Sequence, residues 1–110
     1  ILVIGLSFKE NVNDFRNSRS VVLSNDIVKK GHELDVYDDN ILMKEFKKEH
    51  SLNLIKKPKK KYYDAVLITV EHKKILLLKK KYIYSLLKNR KQGVIFDVKN
   101  IFEEKNFLTI

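Results

Sequence analysis

The chain has 110 residues, of which 44% are hydrophobic, and this size and composition predict one folded domain with an ordinary core. No apolar run approaches the ~18 residues that a membrane-spanning helix needs. There are no cysteines, which excludes disulfides, thiolate metal sites and a cysteine nucleophile within these residues, and we expect a cytoplasmic protein with no membrane partner.

The net charge of +9 raises the possibility of a nucleic-acid partner. Lysine supplies most of this charge, in runs at residues 59–61 and 79–81, and such runs are typical of solvated turns and helix faces. Arginine is scarce, although it is the residue most used to read bases and to bind phosphate through two hydrogen bonds. A basic nucleic-acid-binding α/β module is therefore an alternative rather than the leading hypothesis.

Residues 1–6 form a continuous apolar run that predicts a strand covered on both faces. A long polar loop follows as far as Ser18, and it carries Phe8, Lys9, Asp14 and Arg16. Strand-to-helix connections of this length are often functional, and in an α/β sheet they lie at the ligand-binding edge.

This stretch resembles a known family signature. Residues 5–11 read Gly-Leu-Ser-Phe-Lys-Glu-Asn and residues 14–18 read Asp-Phe-Arg-Asn-Ser. They resemble the opening of the C-terminal, UDP-binding domain of the UDP-glucose/GDP-mannose dehydrogenase family, which runs Gly-x-x-Phe-Lys and then Asp-x-Arg-x-Ser or Thr.

A helix is predicted from residue 18 to residue 30, capped by Asn17 or Ser18 and ended by Gly31, with a second strand at residues 34–38. Strand, helix and strand in this order predict a parallel βαβ unit. Asp38 closes the second strand, where dinucleotide-binding folds place a ribose ligand. That role also needs a Gly-x-Gly-x-x-Gly turn, which is absent here, so we expect a turn or cap residue.

The remaining elements complete an α/β domain. They are a helix at 41–50, an edge strand at 52–55, a strand at 64–70 on the far side of the first, a helix at 75–89 and a last strand at 94–97. We therefore predict a Rossmann-like, three-layer domain over residues 1–110, with a mainly parallel sheet of about five strands and helices on both faces. Residues 103–110 form a tail that we expect to pack on the sheet.

Three cations would meet at the carboxyl edge of this sheet: Lys9, Arg16 and Lys99. Together with exposed backbone N–H groups they suit a diphosphate, and Phe8 would add a flat apolar surface. On spacing alone, the alternative is equally supported: the cations are ordinary surface charges and Phe8 plugs the sheet. His72 has no partner at a recognisable spacing, so we assign it no catalytic role.

The resemblance continues at Asp64-Ala65, at His72 and at Asp97-Val98-Lys99. The Asp-Val-Lys form of this last segment is typical of members that act on N-acetylated UDP-hexosamines. It implies that Phe8, Lys9 and Lys99 bind a UDP-sugar and that Arg16 contacts NAD held mainly by an N-terminal domain of the same chain. It implies no catalytic residue and no metal ligand within these residues.

We accordingly expect a C-terminal fragment of a longer NAD-dependent UDP-sugar 6-dehydrogenase, homo-oligomeric when complete, which oxidises a C6 alcohol to the uronate for surface polysaccharide precursors. The fragment alone is not expected to be catalytic. A stand-alone Rossmann-like regulatory domain is a third hypothesis.

Overall fold

The computed structural model describes residues 1–6, 19–38, 52–70 and 73–109. Five parallel strands form one sheet in the order β3-β2-β1-β4-β5. The strands are β1 (Leu2–Ile4), β2 (Asp35–Tyr37), β3 (Asn53–Ile55), β4 (Ala65–Ile68) and β5 (Val94–Asp97). The order reverses direction beside β1, which confirms the predicted α/β class, the edge position of β3 and the placement of β4 on the far side of β1.

The helices cover both faces of the sheet because alternate strand residues point to opposite sides. The helices are α1 (Arg19–Lys29), α2 (Lys73–Leu76) and α3 (Lys79–Ser85). Leu2 and Ile4 of β1 share a core with Ile83 of α3, whereas Val3 packs into a second core with Val21 of α1. The three-layer architecture is thereby confirmed.

Helix α1 ends as its sequence predicts. Gly31 has φ +92, and its N–H donates to Val28 O while the next N–H, of His32, donates to Ile27 O. These two bonds form a Schellman cap, which favours glycine at this position. Its valines and Ile27 predict an apolar stripe at Val21, Val22, Ile27 and Val28, and this prediction is partly wrong. Val22 and Val28 are exposed, because the inner face of α1 uses small residues such as the fully buried Ser24.

The single helix predicted at residues 75–89 is instead two short helices. Lys79 adopts a left-handed φ of +64, which separates α2 from α3. Helix α3 ends at Ser85 because the next residues pair with the crossover segment before β4, where Lys61 N–H donates to Ser85 O and Leu87 bridges Tyr63. This competing contact is distant in sequence, so helical periodicity could not reveal it.

The C-terminal tail packs on the sheet, as predicted. Leu108 bridges Phe96 of β5 in parallel, and Phe107 is buried in the core beside Phe102. The helix predicted at 41–50 lies outside the described residues. Among the helices in the described ranges, none is both long and apolar enough to cross a membrane.

Candidate functional site

The chain leaves β1 through a glycine that no other residue could replace without strain. Gly5 has φ +99, and its N–H donates to Tyr37 O at 2.9 Å. A Cβ atom added to Gly5 would overlap the Cγ2 atom of Val70, which follows β4. The close approach fits the ends of β1 and β4 together at the point where strand order reverses, the usual ligand position in open parallel sheets.

Asp38 ties the end of β2 to the end of β1. Its buried Oδ2 atom accepts the Leu6 N–H at 2.6 Å. This agrees with the predicted role as a cap. The same bond turns the carboxylate at the usual ribose-binding position toward the protein backbone. The neighbouring strand end has Gly5 but no Gly-x-Gly-x-x-Gly turn, so two features of a dinucleotide site differ here.

The start of α1 is fastened to the same edge by two hydroxyl groups. The Ser20 hydroxyl donates to Thr69 Oγ1 at 2.8 Å, and the Thr69 hydroxyl donates to Gly5 O at 2.7 Å. Neither residue is predicted from the sequence, since nothing in the sequence pairs positions so far apart. The only available signal was that a polar residue, Thr69, ends an otherwise apolar strand.

Lys99 lies on the carboxyl edge, in the turn that follows β5, and is exposed. One strand, β4, separates β5 from β1. Neighbouring strands lie about 4.8 Å apart, so the chain leaves β1 and β5 about 10 Å from each other along one edge. A ligand that spans this distance along the edge would reach both exits.

The other predicted site residues, Phe8, Lys9 and Arg16, lie outside the described residues, and so does His72, to which we assign no catalytic role. The structure nevertheless places the residues that flank the 7–18 loop, Leu6 and Arg19, at the same edge as Lys99. Convergence of Lys9 and Lys99 on one anion therefore stays a prediction that the flanking geometry permits.

A cavity of about 490 Å³ opens at the opposite edge, among the amino ends of β1, β2 and β4. Its charges are mixed, with lysines beside carboxylates, and Tyr62 and Tyr63 form part of its wall. The charged and polar lining residues are His32, Glu33, Asp35, Lys61, Asp64 and Lys88. Asp64 is one of the residues that carry the family resemblance, whereas the carboxyl ends of the strands lie at the opposite edge.

A buried hydrogen-bond network stiffens the amino edge. Asp35 accepts from Tyr63 Oη at 2.7 Å and from Asn53 Nδ2 at 2.8 Å. Burial, followed by the hydrogen bond to Asp35, raises the pKa of the Tyr63 hydroxyl well above its ordinary value. Tyr63 therefore stays protonated as a donor, and the network joins the crossover before β4 to β2 and β3.

Comparison with known proteins identifies the family of this chain. Residues 2–104 match the model of the UDP-glucose/GDP-mannose dehydrogenase family, UDP binding domain. The chain is 37% identical over 99 residues to Protein CapL of Staphylococcus aureus, which covers 90% of this chain and 23% of that protein.

Two further relatives are named as dehydrogenases. UDP-N-acetyl-D-glucosamine 6-dehydrogenase of Salmonella typhi is 26% identical over 101 residues, 92% of this chain and 23% of the relative. GDP-mannose 6-dehydrogenase of Pseudomonas putida is 42% identical over 41 residues, 37% of this chain and 9% of the relative. The chain spans about a quarter of the length of the curated relatives that it matches along most of its own length. It belongs to the UDP-glucose/GDP-mannose dehydrogenase family and corresponds to that family's UDP binding domain.

Proposed function

We propose that the carboxyl edge of the sheet holds the nucleotide part of a UDP-sugar, with Phe8, Lys9 and Lys99 as the binding residues. The observation that carries this proposal is the shared edge: the flanks of the 7–18 loop and the Lys99 turn leave the sheet on the same side, one strand apart. The signature residues of the family fall in these two segments.

The chemistry of these residues suits a nucleoside diphosphate. The two ammonium groups oppose the pyrophosphate charge, and each hydrogen bond to a charged group contributes about 1.5–3 kcal/mol. Phe8 offers a flat apolar surface to the ligand, and backbone N–H groups of the loop add donors. Binding energy gathered here, far from the sugar, orients the reacting end of the ligand.

The intact protein, in this proposal, is an NAD-dependent UDP-N-acetylhexosamine 6-dehydrogenase. The name of the Salmonella typhi relative supports the N-acetylated substrate and the 6-position. Oxidation of the C6 alcohol to the carboxylate removes four electrons, so two NAD would each take up one hydride and water would supply the second carboxylate oxygen. In this domain the Asp38 carboxylate, at the usual ribose-binding position, accepts a backbone N–H instead. We therefore give this domain only a secondary role in binding NAD and assign the contact to Arg16.

Further parts of the proposal follow the family. The present residues supply no catalytic group, and an N-terminal NAD-binding domain of the same chain supplies the reactive centre. We also propose a cytoplasmic homo-oligomer that makes precursors of surface polysaccharides.

The binding site is tested by titrating UDP into the intact protein by calorimetry. Lys9→Ala and Lys99→Ala should each weaken UDP binding by about tenfold or more, the effect of losing one hydrogen bond to a charged group. Lys88→Ala, which removes an equal charge from the amino edge, is the matched control and should change the affinity less than twofold. Equal affinity of all four proteins for UDP would contradict the proposed site.

A further inference from the structure

Strand β5 ends in a closed turn that carries Lys99. The carbonyl of Asp97 accepts the Asn100 N–H at 3.0 Å, so Val98 and Lys99 are the central residues of a four-residue turn. Asn100 has φ +54, a conformation that asparagine tolerates better than most residues. The backbone of Lys99 is therefore fixed, although its side chain is exposed.

The side chain of Asp97 extends the same turn from inside the protein. It is fully buried, with an exposed fraction of 0%. Its Oδ1 atom accepts the Ile101 N–H at 3.1 Å, and its Oδ2 atom accepts the Phe102 N–H at 2.9 Å. Three successive backbone N–H groups thus donate to Asp97, one to its carbonyl and two to its carboxylate. The two bonds to the carboxylate offset the strong penalty of burying it.

Both sides of the turn have fixed anchors. Val98 N–H donates to Ile68 O at 3.0 Å, which joins the start of the turn to β4. Phe102 is buried and its ring lies 5.9 Å from that of Phe107, which joins the end of the turn to the core. The Asp97 carboxylate lies between these anchors and sets the path of the backbone from one to the other.

From this arrangement we infer that Asp97 is a positioning residue for Lys99: its buried carboxylate fixes the turn that presents the Lys99 ammonium to the diphosphate at the carboxyl edge. The inference rests on the proposed function, because it takes the diphosphate as the partner of Lys99. Asp97 itself does not touch the ligand.

The inference predicts an effect opposite in sign to simple electrostatics. Asp97→Asn removes a negative charge near the anion, and Coulomb's law alone would then strengthen UDP binding. The amide is also a poorer partner for the turn, since its NH₂ group cannot accept a hydrogen bond from a backbone N–H. If the carboxylate positions Lys99, UDP binding weakens in Asp97→Asn.

The experiment is a double-mutant cycle on the intact protein, with UDP affinity measured by calorimetry. Asp97→Asn should weaken UDP binding by about fivefold or more, and Lys99→Ala by about tenfold. The double variant should bind no more than about twofold more weakly than Lys99→Ala, because a positioning residue loses its effect once its target is gone.

Asp35→Asn is the matched control for general destabilisation. Asp35 is also a buried carboxylate with donors on both oxygens, but it lies at the opposite edge. It should lower the melting temperature to a similar extent as Asp97→Asn and change the UDP affinity less than twofold. A similar loss of UDP affinity in both variants would overturn the positioning role.

The remaining outcomes separate this inference from the proposed function. Suppose that Lys99→Ala weakens UDP binding. If Asp97→Asn leaves UDP binding unchanged or strengthens it, or if its effect adds fully to that of Lys99→Ala in the double variant, the positioning role of Asp97 is overturned and the UDP site stands. If Lys99→Ala binds UDP as the unchanged protein does, the proposed role of Lys99 fails.

Should Asp97→Asn not fold, Asn100→Pro decides the matter. The Asn100 side chain is exposed, so its removal leaves no cavity in the core, but proline has no N–H for Asp97 O and cannot adopt φ +54. We expect a loss of UDP affinity like that predicted for Asp97→Asn. Unchanged affinity in Asn100→Pro would show that the turn does not set the position of Lys99.

Discussion

The two edges of the sheet are the ends of the same five strands, yet they are built differently. At the carboxyl edge, side chains bind the backbone of the strand exits: Asp38 accepts from Leu6, Asp97 accepts from the turn after β5, and Thr69 donates to Gly5. At the amino edge, the Asp35 carboxylate instead binds the side chains of Tyr63 and Asn53, and a cavity of about 490 Å³ is lined by Asp35 and Tyr63.

The two edges therefore differ in whether side-chain hydrogen bonds fix the backbone at the strand ends. Fixing backbone exits directs the loops that follow, and a binding site needs such fixed supports. Bonds between side chains, such as the one from Tyr63 to Asp35, hold the crossover on the sheet and direct nothing outward. The cavity at the amino edge is therefore not in itself evidence of a binding site, whereas the hydrogen bonds among the described residues favour the carboxyl edge.

The largest expected effect compares a glycine from each edge. Gly5→Ala should destabilise the protein by about 3 kcal/mol or more, because the new Cβ overlaps Val70 and the backbone has a positive φ. Gly31→Ala has the same backbone strain but open space around its Cβ, so about 1 kcal/mol is expected. Thermal unfolding followed by circular dichroism measures both.

A second variant separates the two costs at Gly5. Val70→Ala removes the Cγ2 atom that the new Cβ would meet. Gly5→Ala combined with Val70→Ala should therefore be less destabilised than the sum of the two single changes. Additive losses would show that packing between the ends of β1 and β4 is not what requires the glycine.

A smaller effect is expected at the amino edge, from Tyr63→Phe. Loss of the hydroxyl leaves the buried Asp35 carboxylate short of a donor, at a cost of about 1–2 kcal/mol near pH 7. UDP affinity should not change, since this network does not reach the strand exits. Chemical unfolding and UDP calorimetry of the same variant test both statements, and a loss of UDP affinity would contradict the separation of the two edges.

The same tyrosine gives a pH dependence with a definite sign. The folded-state pKa of Tyr63 is raised by burial, so the folded protein keeps the proton when the unfolded chain, with a pKa of about 10, has lost it. This contribution to stability is fully present below about pH 10 and is lost as pH rises toward the folded-state pKa. Between pH 9 and 11 the unchanged protein should therefore lose more stability than Tyr63→Phe, and equal losses would contradict the raised pKa.

The smallest expected effect concerns nucleic acid. The lysines at residues 59–61 and Lys88 lie toward the amino edge, so duplex DNA that binds there should not compete with UDP. Any such binding should weaken steeply between low and physiological salt. A gel-shift titration with and without UDP measures this, and competition by UDP would favour a shared nucleic-acid site at the carboxyl edge.

Local patterns in the sequence predicted most of the fold. Apolar runs located all five strands, and Gly31 marked the end of α1. The division of the 75–89 segment was not predictable, because it depends on contacts of residues 85–87 with residues 61–63.

For the proposed site, the sequence indicated the loops but not the hydrogen bonds that hold their ends. Lys99 was recognised as a candidate because it belongs to the continuous motif Asp97-Val98-Lys99 at the end of the last strand. The roles of Ser20 and Thr69 depend on a hydrogen bond between two distant residues, and the role of Asp97 depends on its burial beneath its own turn. Neither feature leaves a pattern in a single sequence.

Hydrogen exchange of the intact protein with and without UDP, read by mass spectrometry, tests the central claim most directly. The account predicts that UDP slows exchange in residues 98–102 and in the segment after β1, and leaves residues 31–35, 61–64 and 88–93 unchanged. Protection of the amino-edge segments, with no change at the turn that carries Lys99, would contradict it.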